Sequence, residues 1–146
     1  MKGSDSMRLW HKDLLPYLPR AQLISQWREC CCIARSMALN GTPNHILVNR
    51  IMDYPPIHFI AYTSLVINEM KARGYKCDPE KYTYWAKRWY YGNQDVIPDK
   101  DDVFINWHTN KYAMQNFFNL EEKHDCKGIS DEEWHVFCCG YYNTFH

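Results

Sequence analysis

Residues 56–73 form the segment that most limits how this chain can fold. Two prolines, Pro55 and Pro56, precede it and Gly74 follows it, a pattern typical of the two ends of a helix. Between these ends, apolar residues occur on almost every face of the predicted helix: Ile57, Phe59, Ile60, Ala61, Tyr62, Leu65, Val66, Ile67 and Met70. A helix that is apolar on all sides has to be surrounded by other elements. The segment therefore predicts a central helix inside a bundle.

Helical spacing and capping residues predict further helices on both sides of this one. An apolar stripe through Leu23 and Trp27 indicates a helix from Arg20 to about Leu39, followed by Asn40 and Gly41 as a stop signal. The other predicted helices run from Thr42-Pro43 to about Met52, from Asp78-Pro79-Glu80 to about Trp89, from Thr109 or Asn110 to about Lys123, and onward from the capping box Ser130–Glu133.

Residues 92–103 are rich in Asp, Asn and Pro and predict a loop, and convincing strand alternation is not found. The sequence therefore predicts an all-α fold, a compact helical bundle around the helix at about 56–73. A length of 146 residues fits one domain. We expect residues 7–146 to form it, with residues 1–6 as an N-terminal extension.

Cysteine usage and apolar run lengths bear on the environment of the protein. Seven cysteines occur, with three in a row at 30–32 and a late pair at 138–139, which does not resemble a disulfide framework. The longest apolar stretch, 57–67, is too short to cross a bilayer. We expect a cytoplasmic, monomeric protein with reduced thiols and no membrane partner.

The net charge is zero, but the charges are unevenly distributed. Residues 1–50 carry +4, residues 51–98 carry +1 and residues 99–146 carry −5. This asymmetry predicts a basic face in the N-terminal half, which either binds nucleic acid or is simply solvated.

A line of polar residues on the first long helix is the best candidate for chemistry. Gln22, Gln26 and Glu29 are spaced i, i+4 and i+7 and share a face at the edge of the apolar stripe. Arg28 and Arg35 form a second line. A carboxylate beside arginines suits general acid–base catalysis next to a phosphate-binding surface. The alternative is an ordinary solvated helix face.

Other clusters support weaker hypotheses. His124-x-Cys126 and His135-x-x-Cys138 fit zinc spacing poorly, so neither a metal nor a cofactor is expected. The run Cys30–Cys32 favours helix packing, with a cysteine nucleophile beside His45 or His58 as an alternative. The segment Trp89-Tyr90-Tyr91 either stacks on an unpaired base or packs on the core.

The order of several short motifs resembles the pyrimidine-dimer DNA glycosylases of bacteria and phages. The motifs are Met7-Arg8-Leu9-Trp10-His11-Lys12-Asp13-Leu14, Tyr17–Leu23, Gln26-Trp27-Arg28-Glu29-Cys30-Cys31, His45, Ala61-Tyr62, Glu69-Met70-Lys71 and Arg73-Gly74-Tyr75. A weaker similarity runs from His108 through Tyr112 and Asn119-Leu120 to Lys123. The resemblance covers most of residues 7–125.

The resemblance implies an all-α DNA-repair glycosylase and abasic-site lyase that acts on pyrimidine dimers or abasic sites in double-stranded DNA. In that family an N-terminal α-amine forms an imine with the sugar and a helix carboxylate assists, which implies Met7 and Glu29 as catalytic residues. Residues 1–6 would displace this amine. Either Met7 is the functional start, or these residues are removed, or the chemistry is lost.

Basic and polar residues of the N-terminal half are the predicted DNA contacts: Arg8, Arg20, Gln22, Arg28 and His45. The resemblance also implies action at a bacterial nucleoid or in a phage-infected cell. A non-catalytic nucleic-acid-binding protein of the same fold, or a protein-interaction module, remains an alternative.

Overall fold

The computed structural model describes residues 7–90 and 96–146 and contains five α-helices in these ranges. These are α1 (Arg20–Asn40), α2 (Pro56–Ala72), α3 (Glu80–Trp89), α4 (Asn110–Asp125) and α5 (Asp131–Phe145). Three short 3-10 helices are Lys12–Tyr17, Asn49–Asp53 and Lys100–Asp102. No strand occurs in the described ranges, so the all-α prediction is confirmed. Within those same ranges, no helix has the length and apolarity needed to cross a membrane.

Four residues predicted to begin or end helices do so. Gly41 and Gly74, which follow α1 and α2, both have φ of 74°, a backbone conformation that glycine adopts without steric cost. The Thr109 hydroxyl accepts a hydrogen bond from the Tyr112 N–H (3.2 Å) at the start of α4. The Ser130 hydroxyl accepts one from the Glu133 N–H (3.1 Å) at the start of α5.

The helix predicted from Thr42-Pro43 to Met52 is wrong, since only Asn49–Asp53 is helical there, as a 3-10 turn. The Thr42 hydroxyl accepts a hydrogen bond from the Asn44 N–H (3.1 Å), and Asn44 has φ of 58°. This local turn diverts the backbone where a helix would have to begin. Of the loop predicted at 92–103, residues 92–95 lie outside the described residues, and Lys100–Asp102 adds a 3-10 turn.

Helix α2 lies at the centre of the bundle, as predicted. Phe59, Tyr62 and Val66 are fully buried, while Ser64 and Asn68 are exposed. Helix α1 packs against both α2 and α3. The tight contact of α1 with its neighbours explains the buried stripe of α1, which includes Leu23, Trp27, Cys30, Ile33, Ala34 and Met37.

The N-terminal segment, residues 7–18, runs mostly through the interior and makes hydrogen bonds to the distant helix α4. The His11 N–H donates to Asn116 Oδ1 (2.8 Å), and the Tyr112 hydroxyl donates to the Leu9 carbonyl (2.8 Å). The Lys12 N–H donates to Nδ1 of His108, just before α4 (2.9 Å). Most of the segment is buried. These bonds fix the position of the first residues of the segment, Met7 and Arg8, alongside α1.

The other end of this segment is held by Arg73, at the end of α2. Its guanidinium donates hydrogen bonds to the carbonyls of Leu18 (2.9 Å), Leu15 (3.2 Å) and Pro16 (3.1 Å). It also pairs with Glu69 at 2.8 Å. Arg73 therefore supplies donors to carbonyls at the C-terminal end of the first 3-10 helix, one of which, that of Leu15, also accepts from the Leu18 N–H (3.4 Å).

Candidate active site

A cleft of about 430 Å³ lies between the N-terminal segment, α1 and α4. Its volume falls within the usual range of small-molecule and substrate pockets. The lining residues are Arg8, Trp10, Ala21, Gln22, Ser25, Glu29, Asn119, Leu120, Glu122 and Lys123. The structure thus brings together three residues that the sequence predicted as functional, namely Arg8, Gln22 and Glu29.

Glu29 is the group in this cleft whose ionisation the surroundings change most. Burial raises the pKa of the Glu29 carboxyl from 4.5 to about 7, although a hydrogen bond from the Arg8 backbone and the Arg8 charge oppose the rise. A carboxyl with a pKa near 7 exchanges protons readily at neutral pH, which is the property of an efficient general acid or base. Glu29 is therefore suited to proton transfer.

Gln26 differs from its predicted position at the edge of the apolar stripe. Its side chain is fully buried, and its Nε2 donates a hydrogen bond to Glu29 Oε1 (3.1 Å). The middle residue of the polar line, Gln26, is therefore buried beneath the N-terminal segment, while Gln22 and Glu29 at its two ends are partly exposed.

Arg8 and Gln22 present polar atoms that have no partner among the described residues. The Arg8 guanidinium lies 5.2 Å from the centre of the Trp10 ring, a cation–π contact. Its Nε is buried without a hydrogen-bond partner, as is Gln22 Oε1. An unmade buried hydrogen bond costs free energy. The cleft is therefore lined by two residues that each hold an unpaired buried polar atom, a donor on Arg8 and an acceptor on Gln22.

The remaining predicted site residues occupy different places. Met7 is half-buried against the core. Arg20 and Arg28 are exposed and line a shallow depression that shares Ala21 and Ser25 with the cleft. His45 lies on the loop after α1, where its Nδ1 accepts a hydrogen bond from the Leu47 N–H (3.2 Å), and it is not among the residues lining the cleft.

Helix α4 supplies residues to the cleft that the sequence did not assign to a site: Asn119, Leu120, Glu122 and Lys123. The sequence contains only a weak indication of these four residues. They lie close together on one predicted helix, and the similarity to the family from Asn119 to Lys123 is faint. Trp10 and Ser25 were also missed as lining residues. The sequence alone does not show that α4 faces α1.

The residues of the predicted zinc site and cysteine nucleophile have other contacts in the structure. No cluster of three or more potential metal ligands occurs among the described residues. His124 instead bonds to Asp131 (2.8 Å) and stacks on Trp134 (5.1 Å between ring centres). Burial raises the pKa of the Cys30 thiol well above its ordinary range, which disfavours the thiolate.

His58 and Trp89 have structural contacts as well. The His58 ring accepts a hydrogen bond from the Phe104 N–H at 3.1 Å. Trp89 packs on Phe59 with their ring centres 5.8 Å apart, so the interpretation as core packing is confirmed for Trp89. Tyr91, which belongs to the same aromatic cluster, lies outside the described residues.

Comparison with known proteins agrees with this geometry. A family model described as pyrimidine dimer DNA glycosylase matches residues 7–83. Neither the curated proteins nor the solved structures gave a match to the chain. The matched range covers more than half of the 146 residues. It contains Arg8, Gln22 and Glu29, and a family of this kind acts on DNA. The chain therefore belongs to the pyrimidine dimer DNA glycosylase family, whose function is DNA repair.

Proposed function

We propose that the protein is a bifunctional glycosylase and abasic-site lyase that acts on pyrimidine dimers or abasic sites in double-stranded DNA. The observation that carries the proposal is the position of Glu29. This carboxyl, with its pKa raised to about 7, lies in the cleft and is hydrogen-bonded to the backbone of Arg8. Arg8 directly follows Met7, the residue whose α-amine is the proposed nucleophile.

Chain geometry limits how far this amine can be from the carboxylate. The nitrogens of two successive residues are at most about 3.7 Å apart. A hydrogen bond from the Arg8 N–H adds about 3 Å to a carboxylate oxygen. In a chain that begins at Met7, the α-amine would thus lie within about 7 Å of Glu29. A sugar placed between the two groups could contact both.

The proposed reaction begins with attack of the neutral amine on the sugar C1′. An α-amine has a pKa of about 7.7–8.0, so a useful fraction is neutral at pH 7. The N–C1′ bond forms while the bond from C1′ to the base breaks, and the base leaves with the electron pair and takes up a proton. The nitrogen then forms the imine as the C1′–O4′ bond opens, and O4′ takes up a proton.

Strand cleavage follows from the imine. A general base of the protein removes a proton from C2′, and the electron pair of the broken C–H bond expels the 3′ phosphate as the C3′–O bond breaks. Glu29 is the proposed proton carrier for ring opening and elimination, since a group with a pKa near the working pH both donates and accepts. Its negative form also stabilises the cationic imine. On an abasic site, where no base remains, the same amine condenses with the sugar aldehyde and releases water.

DNA contacts are proposed for Arg8, Gln22, Arg20 and Arg28. Arg8 and Gln22 carry the unpartnered atoms in the cleft, and the two exposed arginines lie in the adjoining depression. Replacing Arg28 with Ala should weaken binding to any duplex and lower the slope of log affinity against log salt by about one, because one phosphate contact is lost. An unchanged slope would remove Arg28 from the interface. His45, outside the cleft, is a proposed contact on the resemblance alone.

Trapping of the imine with borohydride tests the catalytic proposal. The full chain and a chain that begins at Met7 are each incubated with an abasic duplex and the reductant. We expect the chain that begins at Met7 to form far more covalent complex, since its α-amine is free to reach the sugar. Equal trapping of the two chains would indicate an internal lysine as the nucleophile, and no trapping of either would refute the lyase activity.

A further inference from the structure

We infer that Gln26 is a positioning residue of this site, which holds the N-terminal segment and Glu29 at a fixed separation. The inference rests on the proposed function, because it assigns to Gln26 the alignment of the proposed nucleophile with the proposed proton carrier. It is argued from the hydrogen bonds of one fully buried amide.

The hydrogen bonds of the Gln26 amide reach Trp10, Arg8 and Glu29. Its Oε1 accepts from the Trp10 N–H (2.7 Å) and lies 2.9 Å from the Tyr62 hydroxyl oxygen. Its Nε2 donates to the Arg8 carbonyl (2.9 Å) and to Glu29 Oε1 (3.1 Å). A primary amide has two donor hydrogens and two acceptor lone pairs. Both donor hydrogens and the lone pair that faces Trp10 are engaged, in a side chain with 0% exposure.

These partners allow only one orientation of the amide. The Trp10 N–H can only donate, so it must face the oxygen, and the Arg8 carbonyl can only accept, so it must face the nitrogen. The second hydrogen on that nitrogen then points to Glu29. The direction of the Glu29 carboxyl is therefore set by the same amide that holds residues 8 and 10.

Tyr62 anchors the amide to the central helix. Its hydroxyl lies 2.6 Å from the Trp10 carbonyl as well as 2.9 Å from Gln26 Oε1. Tyr62 is fully buried on α2. The chain of contacts thus runs from the rigid centre of the bundle through Gln26 to both reacting parts of the cleft. Because of this arrangement, neither the segment at Arg8 nor Glu29 can shift without breaking a hydrogen bond to the buried Gln26 amide.

The substitution Gln26→Met distinguishes positioning from core filling. Methionine nearly preserves the volume but removes the hydrogen bonds to Trp10, Arg8 and Glu29. Loss of the Nε2 donor withdraws support from the ionised carboxylate, so the midpoint at which Glu29 titrates should rise by about one pH unit. We would measure it by ¹³C NMR of the Glu29 carboxyl in the full chain without DNA. Tyr62→Phe is the matched control, because it removes the hydroxyl that lies beside Gln26 Oε1 and the Trp10 carbonyl and leaves the bonds from Gln26 to Arg8 and Glu29.

Gln26→Glu provides a second variant in case the methionine variant does not fold. It keeps an acceptor for the Trp10 N–H and places a second carboxyl beside Glu29, so the two groups should titrate as a coupled pair in two separated steps. Independent titration of two carboxyls, or an unchanged Glu29 midpoint in Gln26→Met, would overturn the inference.

The rate of imine trapping on an abasic duplex completes the test. It uses the chain that begins at Met7, with a melting curve to establish that each sample is folded. We expect Gln26→Met to trap about 10²-fold more slowly, with the optimum moved to higher pH, and Tyr62→Phe to lose much less. If the unsubstituted chain does not trap at all, the proposed function fails, while the titration still decides whether Gln26 controls Glu29. Normal trapping by folded Gln26→Met would overturn the positioning role and leave the proposed function intact.

Discussion

Replacing Glu29 with Gln should make the protein more stable at neutral pH while it removes catalysis. The pKa of this carboxyl is raised from 4.5 to about 7 on folding, so the folded state disfavours the ionised form. The contribution of Glu29 to the stability is therefore complete below pH 4.5 and is lost as the pH rises towards 7. At about 1.4 kcal/mol per pKa unit the whole shift would correspond to about 3.5 kcal/mol. Because the side chain is only partly buried, solvent screening reduces it, and we expect about 1–2 kcal/mol.

The measurement compares thermal or urea unfolding of wild type and Glu29→Gln at pH 4.5 and pH 8. The difference in unfolding free energy, variant minus wild type, should be about 1–2 kcal/mol larger at pH 8 than at pH 4.5. This change corresponds to roughly 3–8 °C in Tm. Glu122→Gln, at an exposed carboxylate of the same cleft, is the control and should stay within about 0.5 kcal/mol at both pH values.

The activity of the same samples gives the second half of the prediction. Single-turnover cleavage of an abasic duplex should fall by about 10²–10⁴-fold in Glu29→Gln, since the amide cannot carry protons. A stability difference that does not change with pH would refute the raised pKa. Undiminished cleavage in a folded variant would move the proton transfer to another residue.

Three further predictions concern the framework that supports the cleft. A Cβ atom added at Gly140 would lie 2.1 Å from Cγ of Tyr17, so Gly140→Ala should lose about 1–3 kcal/mol in urea unfolding, and Tyr17→Ala should reduce that loss in a double-mutant cycle. Arg73→Met removes the hydrogen bonds to three carbonyls and should cost about 2–3 kcal/mol, measured in the same way. Burial lowers the pKa of His11 from 6.5 to about 4, so the contribution of His11 to stability is complete above pH 6.5 and is lost as the pH falls towards 4. Between pH 7 and pH 5 this loss should be about 2 kcal/mol. Because Glu29 changes the stability in the opposite direction, the loss should be measured as the difference in unfolding free energy between wild type and His11→Gln at each pH.

The boundaries of the long helices could be predicted because local interactions determine them. Gly41 and Gly74 relieve backbone strain at the ends of α1 and α2, and the hydroxyls of Thr109 and Ser130 satisfy N–H groups within the next turn. The wrong prediction at 42–52 has a local cause too. Thr42-Pro43 resembles a helix start, but the left-handed conformation of Asn44 has no strong signature in the sequence.

The candidate site was only partly predictable. Helical spacing placed Gln22 and Glu29 on one face, and the structure confirms that they share a cleft. The raised pKa of Glu29 could not be predicted, because it depends on burial by elements that come together only in the folded chain. The burial of Gln26 could not be predicted for the same reason. Helical spacing placed it at the edge of the apolar stripe, whereas the N-terminal segment covers it in the folded chain.

The N-terminal segment links the stability of the bundle to the geometry of the cleft. The hydrogen bond from the His11 N–H to Asn116 spans 105 positions in the sequence and lies only three residues from Arg8. Segments that carry reacting groups are often mobile loops, but here the segment is buried and forms part of the core. Alignment of the proposed nucleophile is thus achieved by folding itself. We therefore expect a substitution at Asn116, which does not line the cleft, to disturb the position of Arg8 relative to Glu29 even when the helices remain folded.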